Sequence, residues 1–182
     1  MHIHQLSVSH DEVQDRLLVR LNTQDAHEYR FWLTRRMALR LLPVMNQSLA
    51  RLEAAQPGVA ASDQSAQQIL TEIKRDAFLQ SADFATPYAA KAQLLPLGSE
   101  PLLVTDAQLT LQSNGSLEVV LQQKTGHSIQ SCHLSLHVQL VHGLIHLVKE
   151  TLVKADWEMA TTSTSSSESS HASTTDTAAY KH

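Results

Sequence analysis

The chain has 182 residues, 42% of them apolar and only 4% aromatic, enough for one domain or two intimately packed halves with a real core. A net charge of −4 excludes a protein that coats nucleic acid by overall basicity, while leaving room for a local basic patch. The single cysteine, Cys132, excludes an intrachain disulfide and a multi-cysteine zinc motif.

The first residues, Met1-His2-Ile3-His4-Gln5, lack the basic start and apolar run of a signal peptide. No apolar stretch approaches the roughly 20 residues of a membrane span. The expectation is a cytoplasmic protein without membrane contact.

Leu6 and Val8 alternate on a first strand, and Leu17, Val19 and Leu21 alternate with Arg16, Leu18 and Arg20 on a second. The turn Thr23-Gln24-Asp25-Ala26 leads to a third strand, with Tyr29, Phe31 and Leu33 inward and Glu28, Arg30 and Trp32 outward. Thr34 reads as an N-cap. The helix after it carries Met37, Leu41, Val44, Met45, Ser48 and Leu52 at helical spacing, with Pro43 inside as an expected kink.

Beyond Gln56-Pro57-Gly58, a linker helix is predicted from about Asp63 to Ser81, with Ile69, Leu70, Ile73, Ala77 and Phe78 as its apolar side. Then the order repeats. Ala107, Leu109 and Leu111 alternate, and Asn114-Gly115 is the strongest short hairpin signal in the chain. Leu117, Val119 and Leu121 follow, and Gly126-His127 marks another turn. Keeping Ile129 and Leu134 both inward requires a bulge near Gln130-Ser131. Ser135 takes the place of Thr34, as the cap of a helix running to about Lys154.

The fold class is therefore α+β: two pseudo-repeated βββα units, antiparallel sheets with helices on one face, joined by a helical linker. Arg16 to Leu21 aligns with Ser116 to Leu121, His27 with His127, Leu33-Thr34 with Leu134-Ser135, and Leu39 with Leu140. The units span 1–55 and 101–157, with the linker at 56–100. A Ser/Thr-rich tail, 158–182, buries too little apolar surface to order itself.

Three functional readings follow. Arg16, Leu18, Arg20, Arg30 and Trp32 share the outward face of the first sheet, and Arg35 and Arg36 open the helix beyond it. An outward Trp and Leu rimmed by arginines suits packing against the linker helix or against a protein partner, the face of an interaction or adaptor module or of a homodimer. The same set suits single-stranded nucleic acid, with bases stacked on the ring and phosphates on the arginines. In outline, the doubled strand-strand-strand-helix order resembles the PUR and Whirly type of single-stranded-DNA-binding proteins, which carry a fourth strand not found here.

The second helix offers a further partner surface. Val138, Val141, Ile145, Val148 and Leu152 form one stripe, and Leu140, Leu144 and Leu147 form another, so two covers are needed: its own sheet, and the first-unit helix, the linker helix or another subunit.

The third reading is a histidine metal site. His142 and His146, four apart on a helix, can hold one metal edge, yet they share a polar strip with Gln139, Lys149 and Glu150 that reads as solvated. No phosphate loop, nucleophile elbow or paired carboxylate is present, and Cys132 aligns with inward Phe31 as a small apolar side chain. The sequence therefore points away from an enzyme and calls for no cofactor.

Overall fold

The structure, a computed structural model, describes residues 2–54, 69, 72–73, 76–77, 86–89 and 94–157. Its elements are β1 (Ile3–Asp11), β2 (Arg16–Thr23), β3 (Glu28–Thr34), α1 (Arg35–Ala54), β4 (Leu102–Leu103), β5 (Asp106–Leu111), β6 (Leu117–Thr125), β7 (Ser128–Leu136) and α2 (Val138–Lys154). The fold is α+β, with sheets ordered β1-β2-β3-β4 and β5-β6-β7. The expected disordered tail, 158–182, and most of the linker lie outside the described residues.

Period-two patterning forms both sheets. Leu17, Val19, Leu21, Phe31 and Leu33 point inward from β2 and β3, and Leu117, Val119, Leu121, Cys132 and Leu134 point inward from β6 and β7. All belong to a single hydrophobic core shared with both helices. Each such aliphatic side chain contributes about 1.5–3 kcal/mol by leaving water.

The sheets meet along residues 102–111. β4 pairs in parallel with β3 (Phe31↔Leu102, Trp32↔Leu103), and the Val104 amide donates to the Trp32 carbonyl at 2.9 Å. The Thr105 amide then donates to the Gln122 carbonyl of β6 at 2.8 Å, and β5 continues antiparallel to β6 from Asp106↔Gln122. The first sheet is thus mixed, not purely antiparallel, and its last strand comes from the second half of the chain.

Local signals explain the turns. At Asn114-Gly115 the glycine has φ +77°, and the Ser116 amide donates to Asn114 Oδ1 at 3.1 Å. Gly126, φ +54°, opens the two-residue β6–β7 turn. Thr34 caps α1 as expected, its Oγ1 accepting from the Met37 amide at 3.2 Å. Pro43 sits within α1 without ending it.

Four expectations are corrected. The buried line of α1 runs through Ala38, Leu42, Met45, Leu49 and Leu52, while Val44 is 46% exposed. The helix is turned by about one residue, roughly 100°, onto a line that is apolar from Ala38 to Leu52 and ends in buried Glu53. β7 holds an unbroken register from Leu117↔Leu136 to Thr125↔Ser128, without a bulge, so Ile129 lies on the outer face, 66% exposed. The strand continues through Leu136, which moves the N-cap of α2 from Ser135 to His137, where no side-chain cap bond forms. Lastly, Ile69, Glu72, Ile73, Asp76 and Ala77 are helical as expected, but Ile69 and Ile73 are each 59% exposed.

Among the described residues, no helix is long and apolar enough to cross a membrane. Both apolar stripes of α2 are used within the chain, since the helix packs on α1 and along β1, where Thr151 Oγ1 reaches the Val8 carbonyl at 3.4 Å. Of the covers expected for the second stripe, the first-unit helix α1 is the one seen.

Candidate interaction face

Strand register arranges the outer face of the first sheet in rows. Gln5, Asn22 and Glu28 form one, and Ser7, Arg20 and Arg30 the next. Ser9, Leu18, Trp32 and Leu103 follow, and Asp11, Arg16 and Thr34 close the series. All five outward residues predicted from alternation lie on this face.

The chain itself covers half of it. Tyr88 lies over Arg20, its ring centre 4.4 Å from the guanidinium carbon, while Arg20 Nε donates to Ser7 Oγ at 3.2 Å. The Tyr88 hydroxyl donates to Glu28 Oε1 at 3.0 Å, and burial, reinforced by that bond, pushes its pKa well above the usual phenol value. Asn22 Nδ2 donates to the Ala89 carbonyl at 3.0 Å, and Gln5 Oε1 accepts from the Ala89 amide at 3.0 Å. Arg30 Nη2 donates to the carbonyls of Gly98, at 3.3 Å, and Ser99. Arg20 and Arg30 are therefore engaged within the chain.

The other half is open to solvent at its edge. Leu18, Trp32 and Leu103 form a partly exposed apolar row across three neighbouring strands. Arg16 adjoins it, donating to Gln14 Oε1 at 3.3 Å. Arg35 and Arg36 are exposed on the first turn of α1, which holds no acidic residue, so two cations stand at the positive end of a helix dipole. Asp11, opposite Arg16, spends Oδ1 on the amides of Val13 and Gln14, at 3.0 and 2.9 Å.

The second sheet presents different chemistry. Glu118 contacts His133 Nδ1 at 3.2 Å and accepts from Gln112 Nε2 at 2.7 Å, and Lys124 pairs with Asp106 at 3.1 Å. With no bulge, Ser131 and His133 join Glu118, Val120 and Gln122 outside, while Ser128 and Gln130 fall on the side of Cys132. Cys132 is buried, and that burial pushes its thiol up to about 11.

The two helical histidines part company. His142, expected on a solvated strip, is buried with Nε2 2.8 Å from Glu53 Oε1 of α1. His146 is partly exposed and lies 3.6 Å from Glu150. Among the described residues, no group of three or more His, Cys, Asp or Glu is placed to hold a metal ion.

A pocket of about 600 Å³ lies at the end of the first sheet, lined by His4, Gln5, Asn22, Thr23, Gln24, Ala26, Thr86 and Ala89. Its walls are neutral amides and hydroxyls beside one imidazole, and the Asn22 side chain is already bonded to Gln5 and Ala89.

Sequence reading missed Glu53, Tyr88 and Trp157. Glu53 sits where a helical stripe continues from Leu49, so its position signalled burial although its charge argued against it. Trp157 had a local signal, the end of α2. The Trp157 amide donates to the Leu152 carbonyl and the Asp156 amide to that of Val153, with Asp156 at φ +54°, a Schellman ending that turns Trp157 back onto the core.

No protein-family model matches the chain, and no curated protein or solved structure is significantly similar to it.

Proposed function

We propose that the chain is a non-enzymatic cytoplasmic protein-interaction module whose contact surface is the Leu18-Trp32-Leu103 row with its arginine rim, Arg16, Arg35 and Arg36. One observation carries the reading: a partly exposed Trp continues an apolar row across three strands, beside cations with no acid in the same helical turn. Such a patch suits a partner with an apolar anchor and acidic flanks, because aromatic and arginine side chains dominate interface energetics.

Single-stranded nucleic acid is the competing reading, favoured by the pairing of Trp32 with Arg16, Arg35 and Arg36. It is weakened because Arg20 and Arg30 are tied to Ser7, Tyr88, Gly98 and Ser99. In either reading we regard the scaffold as an internal duplication. Leu17, Val19, Leu21 and Leu33 correspond to Leu117, Val119, Leu121 and Leu134, all buried.

Capture from native cells with wild type, Trp32→Ala and the double variant Arg35→Glu/Arg36→Glu tests the reading. The expected result is a partner lost from both variants, then bound directly in purified form. Tight binding of a labelled single-stranded oligonucleotide at low salt, lost at high salt, would move the assignment to nucleic acid.

A further inference from the structure

We propose that β7 pairs edge to edge with β7 of a second copy of this chain, forming a two-fold dimer with one sheet running through both copies. This rests on the second sheet and is independent of the Trp32 face.

The β6–β7 register fixes which backbone groups of β7 are used. The two-residue turn makes Thr125↔Ser128 a hydrogen-bonded pair, so Gln130, Cys132 and Leu134 also bond to β6. The opposite edge of β6 confirms the phase: the Gln122 carbonyl and Lys124 amide point to Thr105, on the β5 side. The amides and carbonyls of Ile129, Ser131, His133 and Ser135 therefore point away from the sheet, and among the described residues nothing bonds to them. All four residues are exposed.

Two flanks of the first sheet are less open. β1 has an irregularity between Ile3 and Gln5, and its Val8 carbonyl is reached by Thr151. β3 is covered by β4 and by Leu94, whose carbonyl accepts from the Glu28 amide at 3.0 Å. β7, by contrast, is nine residues long, Ser-Ile-Gln-Ser-Cys-His-Leu-Ser-Leu, and has no Pro, Gly, Lys or bulge to guard it. Such an edge recruits a strand.

The strand that fits is its own copy. β7 carries no Lys, Arg, Asp or Glu, so bringing two together juxtaposes no fixed like charges. An antiparallel two-fold centred on Cys132 pairs Ile129 with Ser135 of the second copy and Ser131 with its His133. That register uses every outward amide and carbonyl named above, sets a hydroxyl beside an imidazole, and covers part of Ile129, now 66% exposed.

Sedimentation of the full chain across about 1–500 μM tests the idea. The expected result is a rise from 20.1 kDa to twice that mass, with the amides of Ile129, Ser131, His133 and Ser135 gaining hydrogen-exchange protection in step. Ser131→Pro removes one outward donor without touching a bond to β6, and His133→Lys places like charges beside the two-fold. Each should weaken dimerisation at least about tenfold. If Ser131→Pro fails to fold, His133→Lys decides, since the β7 backbone is unchanged. A chain monomeric throughout, a dimer whose four edge amides exchange freely, or a dimer that a folded His133→Lys variant retains would each overturn the proposal. So would edge protection seen only when a foreign extended peptide is added.

Discussion

Glu53 and His142 meet at 2.8 Å between α1 and α2, each side chain 4% exposed, and among the described residues Glu53 Oε2 has no hydrogen-bond partner. The helices run antiparallel here, because Asn46 also meets Lys149, at 3.4 Å. Removing His142 leaves the Glu53 side chain buried without this bond. His142→Ala should cost about 3–5 kcal/mol by stranding the carboxylate, and Glu53→Gln about 1 kcal/mol. Replacing both with Leu should be close to neutral. Denaturant unfolding of the four proteins checks the cycle, and a His142→Ala cost no larger than that of Glu53→Gln would contradict it.

Trp157 is 4% exposed, donates from Nε1 to Asp15 Oδ1 at 3.1 Å, and meets the His10 ring edge-on at 5.2 Å. Trp157→Ala should cost about 3–5 kcal/mol. Asp15 has φ +49°, which Asn tolerates and Ala does not. Asp15→Asn should therefore lie within about 0.5 kcal/mol of wild type, and Asp15→Ala should lose roughly 1–3 kcal/mol. Thermal unfolding distinguishes the two.

Cys132 gives a pH signature at the alkaline end. Its thiol ionises at about 11 in the folded chain against an ordinary value of 9.0, owing to burial. The unfolded chain therefore loses this proton first as pH rises. Stability from this group is complete below pH 9 and declines between 9 and 11, by on the order of 2 kcal/mol. Subtracting the Cys132→Ala profile isolates the effect, and a flat difference from pH 8 to 11 would refute it. Alkylation at pH 8 should likewise be far slower in the folded chain than in denaturant.

Arg35 and Arg36 set binding against stability. Glu at either position complements the helix dipole and should raise stability by about 0.3–1 kcal/mol at low salt. The same change removes a cation from the proposed contact rim. Arg35→Glu should therefore melt higher while binding its partner more weakly, a combination that general misfolding cannot produce. A variant that is stabilised and binds normally would remove Arg35 from the rim.

Alternation in single strands was legible because it is local. Leu17, Val19 and Leu21, their counterparts at 117, 119 and 121, the cap Thr34 and the turn at Asn114-Gly115 all follow from neighbours a few residues away. The rotation of α1 was not, because Leu41 and Leu42 serve equally until two sheets choose between them. Ser135 and Thr34 look alike in sequence, but β7 continues through Leu136, one residue past Ser135, and carries Ser135 into the ladder. At the candidate face, alternation placed Leu18 and Trp32 together correctly. It had no means of showing that Tyr88 and the carbonyls of Gly98 and Ser99 would occupy Arg20 and Arg30 from more than sixty residues away.

The handover along residues 102–111 bears on how the chain is made. A ribosome delivers β1, β2, β3 and α1 well before β4 can close the far side of β3 or α2 can settle along β1. The nascent first half therefore waits with both flanks of its sheet open, a state prone to association with other chains. Synthesis of the second half ends that exposure, so separating the halves into two polypeptides should yield aggregation where the intact chain gives one cooperative unfolding transition.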